Sequence, residues 1–194
     1  FHDVDSNVER LFGLARVSKE NPLFGGFAKG NFRYAQSKVD RKLENLENPT
    51  EYVFEAIDAA EKEAGAKVDS GGILFAMFEN VYLVSSEGPV GVDSRSAVEL
   101  SIRAFSEREA SGHGVECSST LKDFKPAQAG AKAGEIAKLA KSPKIGDEGV
   151  YDIIFDPLIF GSFLAVWSRM VSAFSVLIQR SIFVNKFGQK VAPE

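Results

Sequence analysis

Two imidazoles and one thiol are present in the 194-residue chain: His2, His113 and Cys117. In "SGHGVEC" the histidine and the cysteine lie four residues apart. Such a pair can form a nucleophile, the imidazole taking the proton from sulfur, or one half of a zinc site. Neither arrangement has its remaining members nearby, since no second cysteine or further histidine completes four ligands and no carboxamide stands ready to orient the ring. The pair therefore reads as a loop histidine and an inert cysteine, with His2 at a frayed end. Asp152 and Asp156 stand four apart on a predicted strand, on one face as acid–base carboxylates would be. Asp156 directly before Pro157 fits helix capping better. Arg169 is the remaining charge of interest. Gly161, Ala165, Ser168 and Ser172 lie beside it at helical spacing and form a groove suited to close packing against a second helix. These five are the candidate partner-contact residues, with Arg169 either meeting a carboxylate across that contact or remaining solvated. No residue is assigned a catalytic, cofactor-binding or metal-binding role.

The helix that carries this groove belongs to the most apolar stretch of the chain, "DPLIFGSFLAVWSRMVSAFSVLIQRSIF", residues 156–183. Arg169 and Arg180 interrupt it, leaving uncharged runs of 12 and 10 residues, whereas a membrane-spanning helix needs about 20. At 100° per residue Phe160, Phe163, Leu164, Trp167, Val171 and Phe174 fall in one stripe, which predicts a core-facing surface. The 16 Phe against one Trp and four Tyr favour buried rings over base stacking. A net charge of −4 argues against nucleic acid or an anionic membrane as the main partner. One cysteine, with no signal peptide before the first capped helix, points to the cytoplasm.

The elements that must position these residues follow in order. "SNVERLFGLARVS" predicts a helix capped by Ser6 and Glu9, with Val8, Leu11, Phe12 and Ala15 on one face. An irregular, glycine-rich stretch with Phe24, Phe27 and Phe32 comes next; it lacks the strand and the Lys-Ser/Thr ending of a phosphate loop. Asn48, Pro49 and Glu51 open a second helix that Gly65 stops, with Val53, Ile57, Ala60 and Ala64 inside. The period then changes to two, and "GGILFAMF", "VYLVSS" and "AVELSIRAFS" read as three antiparallel strands turning at Glu79-Asn80 and around "EGPVGVDS". A loop, "EREASGHGVECSST", leads to a helix with Ala129, Ala133, Ile136, Ala137 and Ala140 on one side. The strand "GVYDIIFDP" and the apolar helix close the chain. This order predicts an α+β fold, a two-layer sandwich of an antiparallel meander and packed helices forming one domain over residues 1–194.

Taken together, "ARVSKENPLFGGF", the "SGGILFAMFENVYLVSSEGP" hairpin, the small-residue helix leading into "GVYDIIFDPLIFGSFL" and the closing "SIFVNKFGQKVAPE" resemble the TldD/PmbA family, the "modulator of DNA gyrase" proteins. The resemblance implies the central part of a longer chain, flanked by an α/β portion and a β-rich half. It also implies a zinc-protease signature in the TldD branch, a His, the following Glu and a second His five positions after the first. Those slots fall near Ala165, Val166 and Met170, and no His or Glu occurs from Asp156 to Pro193. The chain thus resembles the non-catalytic PmbA (TldE) branch. That branch implies a cytoplasmic subunit of a metallopeptidase complex acting on peptides, paired with a TldD-type catalytic subunit or with itself. Zinc is expected only in the catalytic partner, and neither nucleic acid nor membrane is an expected partner. The alternatives are a self-sufficient metallopeptidase with ligands outside these residues, and a structural or binding module without catalysis.

Overall fold

A computed structural model describes residues 3–22 and 24–191; His2 lies outside them. The chain forms two compact units, Phe1–Lys144 and Ile145–Glu194.

In the first unit, helix α1 spans Val4–Val17. Its cap is Asp3 and not Ser6: the Asp3 carboxylate accepts the Ser6 backbone N–H at 3.1 Å, because a carboxylate one turn upstream reaches the free amides first. No residue of α1 is buried, including Val8, Leu11 and Phe12. The stretch up to residue 40 is irregular, and Phe24, Phe27 and Phe32 are exposed. Tyr34 lies against Gly91, which leaves room for the ring 3.5 Å from where a Cβ would stand.

Helix α2, Pro49–Ala64, begins and ends where its punctuation predicts. Pro49 presets the first helical φ. Gly65 adopts φ 71° and donates its N–H to the Glu61 carbonyl at 3.0 Å, a left-handed stop that a Cβ would strain. Asn48 also differs from expectation, taking a left-handed φ of 48° with no side-chain capping bond. Ala56, Ala60 and Ala64 are buried, while Val53 and Ile57 are half-buried at the margin of the core.

Three strands form an antiparallel meander in the order β1 (Asp69–Val84), β2 (Val90–Glu107) and β3 (Ala110–Ser118). On β2 the predicted alternation holds, with Val98, Leu100, Ile102 and Ala104 all buried. Val98 and Leu100 are the largest fully buried side chains, each worth about 2 kcal/mol in apolar surface removed from water. Strand boundaries differ from the sequence reading in two places. No turn interrupts β1 at Glu79-Asn80, because both residues find partners across the ribbon: Glu79 pairs with Arg95 and Asn80 accepts from the Ser94 hydroxyl at 2.7 Å. The "loop" after β2 is mostly β3, whose glycines serve packing.

Helix α3, Pro126–Leu139, lies between β3 and α2. A Cβ added to Gly112 or Gly114 of β3 would collide with the carbonyl oxygens of Ala133 or Ala129, and one added to Gly130 or Gly134 of α3 would strike those of Ala56 or Ala60. Backbone thus meets backbone on both sides of α3. Close approach of this kind increases dispersion contact along the whole helix, which compensates for the lack of large side chains in that layer. The unit is an α+β two-layer sandwich with α2 and α3 packed on the sheet.

The second unit contains helix α4, Pro157–Val171, and a short helix α5, Ala173–Leu177. Asp156 caps α4, its carboxylate accepting the Leu158 N–H at 3.0 Å. The apolar segment is not one continuous helix, because Ser172 leaves helical geometry at φ −61°, ψ 132°. Residues 149–156 are not a strand: Val150 and Ile154 are fully exposed, and none of the described residues pairs with this stretch. A strand requires a hydrogen-bonded neighbour. The predicted core-facing stripe is also corrected. Phe160, Phe163, Leu164, Trp167, Val171 and Phe174 are all exposed, and Val176 is the single buried residue of the unit among those described. What the stripe does provide is a ladder of rings, Phe155, Phe160, Phe163, Trp167 and Phe183, with successive centroids 5.7–6.5 Å apart. None of the described helices is long and apolar enough to cross a membrane.

Candidate functional site

Helical periodicity brings the five candidate contact residues together on α4 and its C-terminal cap. Gly161, Ala165, Ser168 and Arg169 are exposed, and Ser172 is half-buried. The surface between them is shallow because its side chains are small: a Cβ on Gly161 would meet nothing within 4 Å. The Ser168 hydroxyl turns back to the Ala165 carbonyl at 2.9 Å, which removes a polar group from the groove's surface. Arg169 sits in the last turn, where a cation complements the helix dipole. It forms no ion pair with any described residue. The arrangement offers a flat face with one guanidinium at its edge, able to receive a second helix and a carboxylate.

The remaining chemistry-bearing residues are not assembled. His113 and Cys117 both lie on β3, opposite Arg103 and Glu99. A spacing of four along the strand places their Cα atoms about 13 Å apart, too far for proton transfer. His113 Nε2 instead lies 2.8 Å from the Ser101 hydroxyl on the neighbouring strand. Asp152 is exposed in irregular chain and Asp156 is occupied as a cap. Near the slots that the resemblance gives for a zinc signature, α4 presents Ala165, Val166 and Met170, none of which offers a nitrogen or oxygen side-chain ligand. Among the described residues no three His, Cys, Asp or Glu side chains converge. The described residues assemble no set of ligands that fits a zinc ion.

One polar junction has little signature in the sequence. Asp40 caps a 3-10 turn, Arg41–Asn45, through a bond from the Lys42 N–H at 3.1 Å, and its other oxygen accepts the Leu121 N–H at 2.9 Å. The Ser96 hydroxyl accepts the Asp40 N–H and donates to the Ser119 carbonyl. A cavity of about 450 Å³ opens beside this junction, lined by Lys42, Tyr52 and Lys122 among others. "VDRKLEN" shows no periodicity, so only the Asp-before-turn pattern marks it. The Leu121 amide, then the Lys42 amide, hold the Asp40 carboxyl below its ordinary pKa. A depressed carboxylate contributes stability that is present above the unfolded-state pKa and lost as pH falls through the folded one. Asp40→Asn is therefore expected to lower the unfolding midpoint at neutral pH. Its deficit relative to wild type should shrink below about pH 4, as read by thermal melts across a pH series.

Comparison with known proteins places this geometry. Residues 38–141 match the family profile described as the PmbA/TldA metallopeptidase central domain, and residues 148–194 match that of the PmbA/TldA metallopeptidase C-terminal domain. Among curated protein sequences none matches. Two solved structures share the fold. One, from Thermotoga maritima, has a TM-score of 0.77 at 19% identity over 93% of this chain and 42% of its own. The other, from Bacteroides thetaiotaomicron, has a TM-score of 0.72 at 19% identity over 96% of this chain and 45% of its own. Both proteins are described as modulators of DNA gyrase. The chain spans less than half the length of either. The central-domain match alone covers more than half of the chain and contains the whole sheet with its two packing helices, so the chain belongs to the TldD/PmbA family of metallopeptidase-related proteins.

Proposed function

We propose that this chain is part of a non-catalytic, PmbA/TldE-like subunit of a TldD/PmbA-type metallopeptidase complex that hydrolyses peptides in the cytoplasm. What supports the reading is the sequence of α4 and its surroundings: no His or Glu occurs from Asp156 to Pro193, so the slots that the resemblance puts near Ala165, Val166 and Met170 hold no group able to bind zinc or activate its water. In this reading zinc and the water-activating glutamate belong to a TldD-type partner subunit. This chain contributes fold, a contact surface at Gly161, Ala165, Ser168, Arg169 and Ser172, and part of a peptide chamber. Neither nucleic acid nor membrane is a partner in it.

The test is to express the full-length protein with and without a histidine-bearing homologue from the same genome and to measure zinc and peptidase activity. The expected outcome is co-purification, with zinc and activity appearing only in the pair. Stoichiometric zinc and activity in the protein alone would establish a self-sufficient enzyme instead. Solitary behaviour with neither would leave a binding module.

A further inference from the structure

The cavity of about 450 Å³ beside the Asp40 junction has no part in the function proposed above. Its volume lies within the range of small-molecule pockets. Three stretches of chain line it: residues in and after the 3-10 turn supply Lys42, Asn45 and Glu47, α2 supplies Tyr52, and the loop before α3 supplies Leu121 and Lys122. Asp40 holds these stretches together. Its two oxygens accept the Lys42 and Leu121 N–H groups, so one carboxylate joins segments 81 positions apart and brings both lysines to a single cavity.

The charges around the cavity are not spent on one another. Lys42, Lys122 and Glu47 form no ion pair with any described residue. Asp123, next to Lys122 in sequence, is engaged by the Thr120 hydroxyl at 2.8 Å. The apolar part of the lining is held in place, for the Tyr52 ring rests against Phe124 with centroids 5.8 Å apart. A simple anion would suit the lysines and meet Glu47 and Asp40 as like charges; a simple cation would suit the carboxylates and meet the lysines. A molecule with one charge of each sign satisfies both sets through charge-assisted hydrogen bonds.

We infer that this cavity binds a small zwitterion, a free amino acid or a dipeptide, with its carboxylate on Lys42 and Lys122, its ammonium on Glu47, and an apolar side chain against Tyr52 and Leu121. Both blocked ends are selected against, because each leaves one set of protein charges unanswered. Free amino acids and dipeptides are what peptide hydrolysis releases, so the site gives the chain a means of sensing product; that link alone rests on the proposed function. Binding needs neither zinc nor a partner subunit, and loss of pairing and loss of zwitterion binding are separate results.

The test titrates the full-length protein, without a partner, with leucine and with leucyl-leucine by calorimetry, while amide hydrogen exchange reports where each binds. The controls are the N-acetylated and the C-amidated form of each ligand, and inorganic phosphate. The expected result is binding of one or both zwitterions with new protection within residues 40–47 and 120–123, the tighter ligand naming the source. Each blocked form is expected to bind about tenfold more weakly, the loss of one charge-assisted contact. Lys122→Gln and Glu47→Gln stand at exposed positions and are expected to keep the wild-type unfolding midpoint. The first weakens binding about tenfold, and the second removes the preference for the free ammonium over its N-acetylated form. Equal binding of either blocked form, phosphate binding as tight as that of the zwitterions, undiminished binding by Lys122→Gln, protection confined to other segments, or no binding of either zwitterion at about 10 mM would each overturn the inference.

Discussion

Gly130→Val is expected to cost about 3 kcal/mol of stability, the upper end of what overpacking costs, and to lower the unfolding midpoint by about 10 °C. A side chain on Gly130 has nowhere to go. Its Cβ would run into the Ala56 carbonyl of α2, which is held in the helix ladder and cannot rotate aside as a flexible side chain would. Relief requires α2 and α3 to separate, and separation loosens the contacts of Ala60 with Gly134 and those of Ala129 and Ala133 with β3 at the same time. Gly130→Ala decides between two effects of opposite sign. Helix propensity alone would stabilise this variant by about 1 kcal/mol, so a fall in midpoint shows that steric exclusion wins. Gly114→Ala probes the other side of α3, where the Ala129 carbonyl stands in the way, and the same sign is expected. Thermal and denaturant unfolding of the three variants measures all of this.

That interface explains why some elements were legible in sequence and others were not. α2 could be bounded from Pro49 and Gly65 because its punctuation acts locally: each residue fixes its own φ. The buried face of β2 could be read from Val98 to Ala104 because alternation is a property of the strand itself. In sequence "SGHG" reads as turn chemistry and β3 as a loop, yet Gly112 and Gly114 admit carbonyls of a helix that follows later in the chain. Glu79 and Asn80 read as a turn for a related reason. Their stabilising partners, Arg95 and Ser94, lie on the next strand and no local pattern reveals them. The converse holds at "GVYDIIF" and on the aromatic stripe of α4, where the local pattern exceeds what the fold buries. High strand propensity and helical amphipathicity state what a segment is able to bury, and burial needs a neighbouring surface that propensity does not supply.

The candidate contact residues divide along the same line. Helical spacing sufficed to group Gly161, Ala165, Ser168, Arg169 and Ser172, since periodicity is local. The Asp40 junction has no local signature, since it joins residue 40 to residues 96, 119 and 121 and only the folded chain brings them together. Ser96 is the one buried polar residue of the core among those described, and with Ser94 and Ser101 on the same strand nothing in the local pattern singles it out.

Gly161→Trp is expected to leave the isolated chain folded, with an unchanged or slightly higher midpoint, and to abolish co-purification with the proposed partner. The same residue type that is indispensable at position 130 is dispensable for folding at position 161, because nothing stands within 4 Å of its Cβ direction. Replacing glycine inside an exposed helix gains up to about 1 kcal/mol of backbone entropy. The indole, however, fills the shallow face between Ala165 and Ser168 and holds an approaching helix several ångströms away. A contact built on small residues loses most of its dispersion energy at such a separation. Arg169→Glu is the electrostatic companion. If the guanidinium meets a carboxylate, reversal places two like charges together at a contact from which water is excluded, and pairing weakens by about 2–5 kcal/mol, whereas on a solvated face the change is nearly silent. Pull-down together with the melting midpoint of each variant separates the cases. Loss of pairing with an intact fold in both variants supports α4 as the subunit contact, and retained pairing in both removes that helix from the interface.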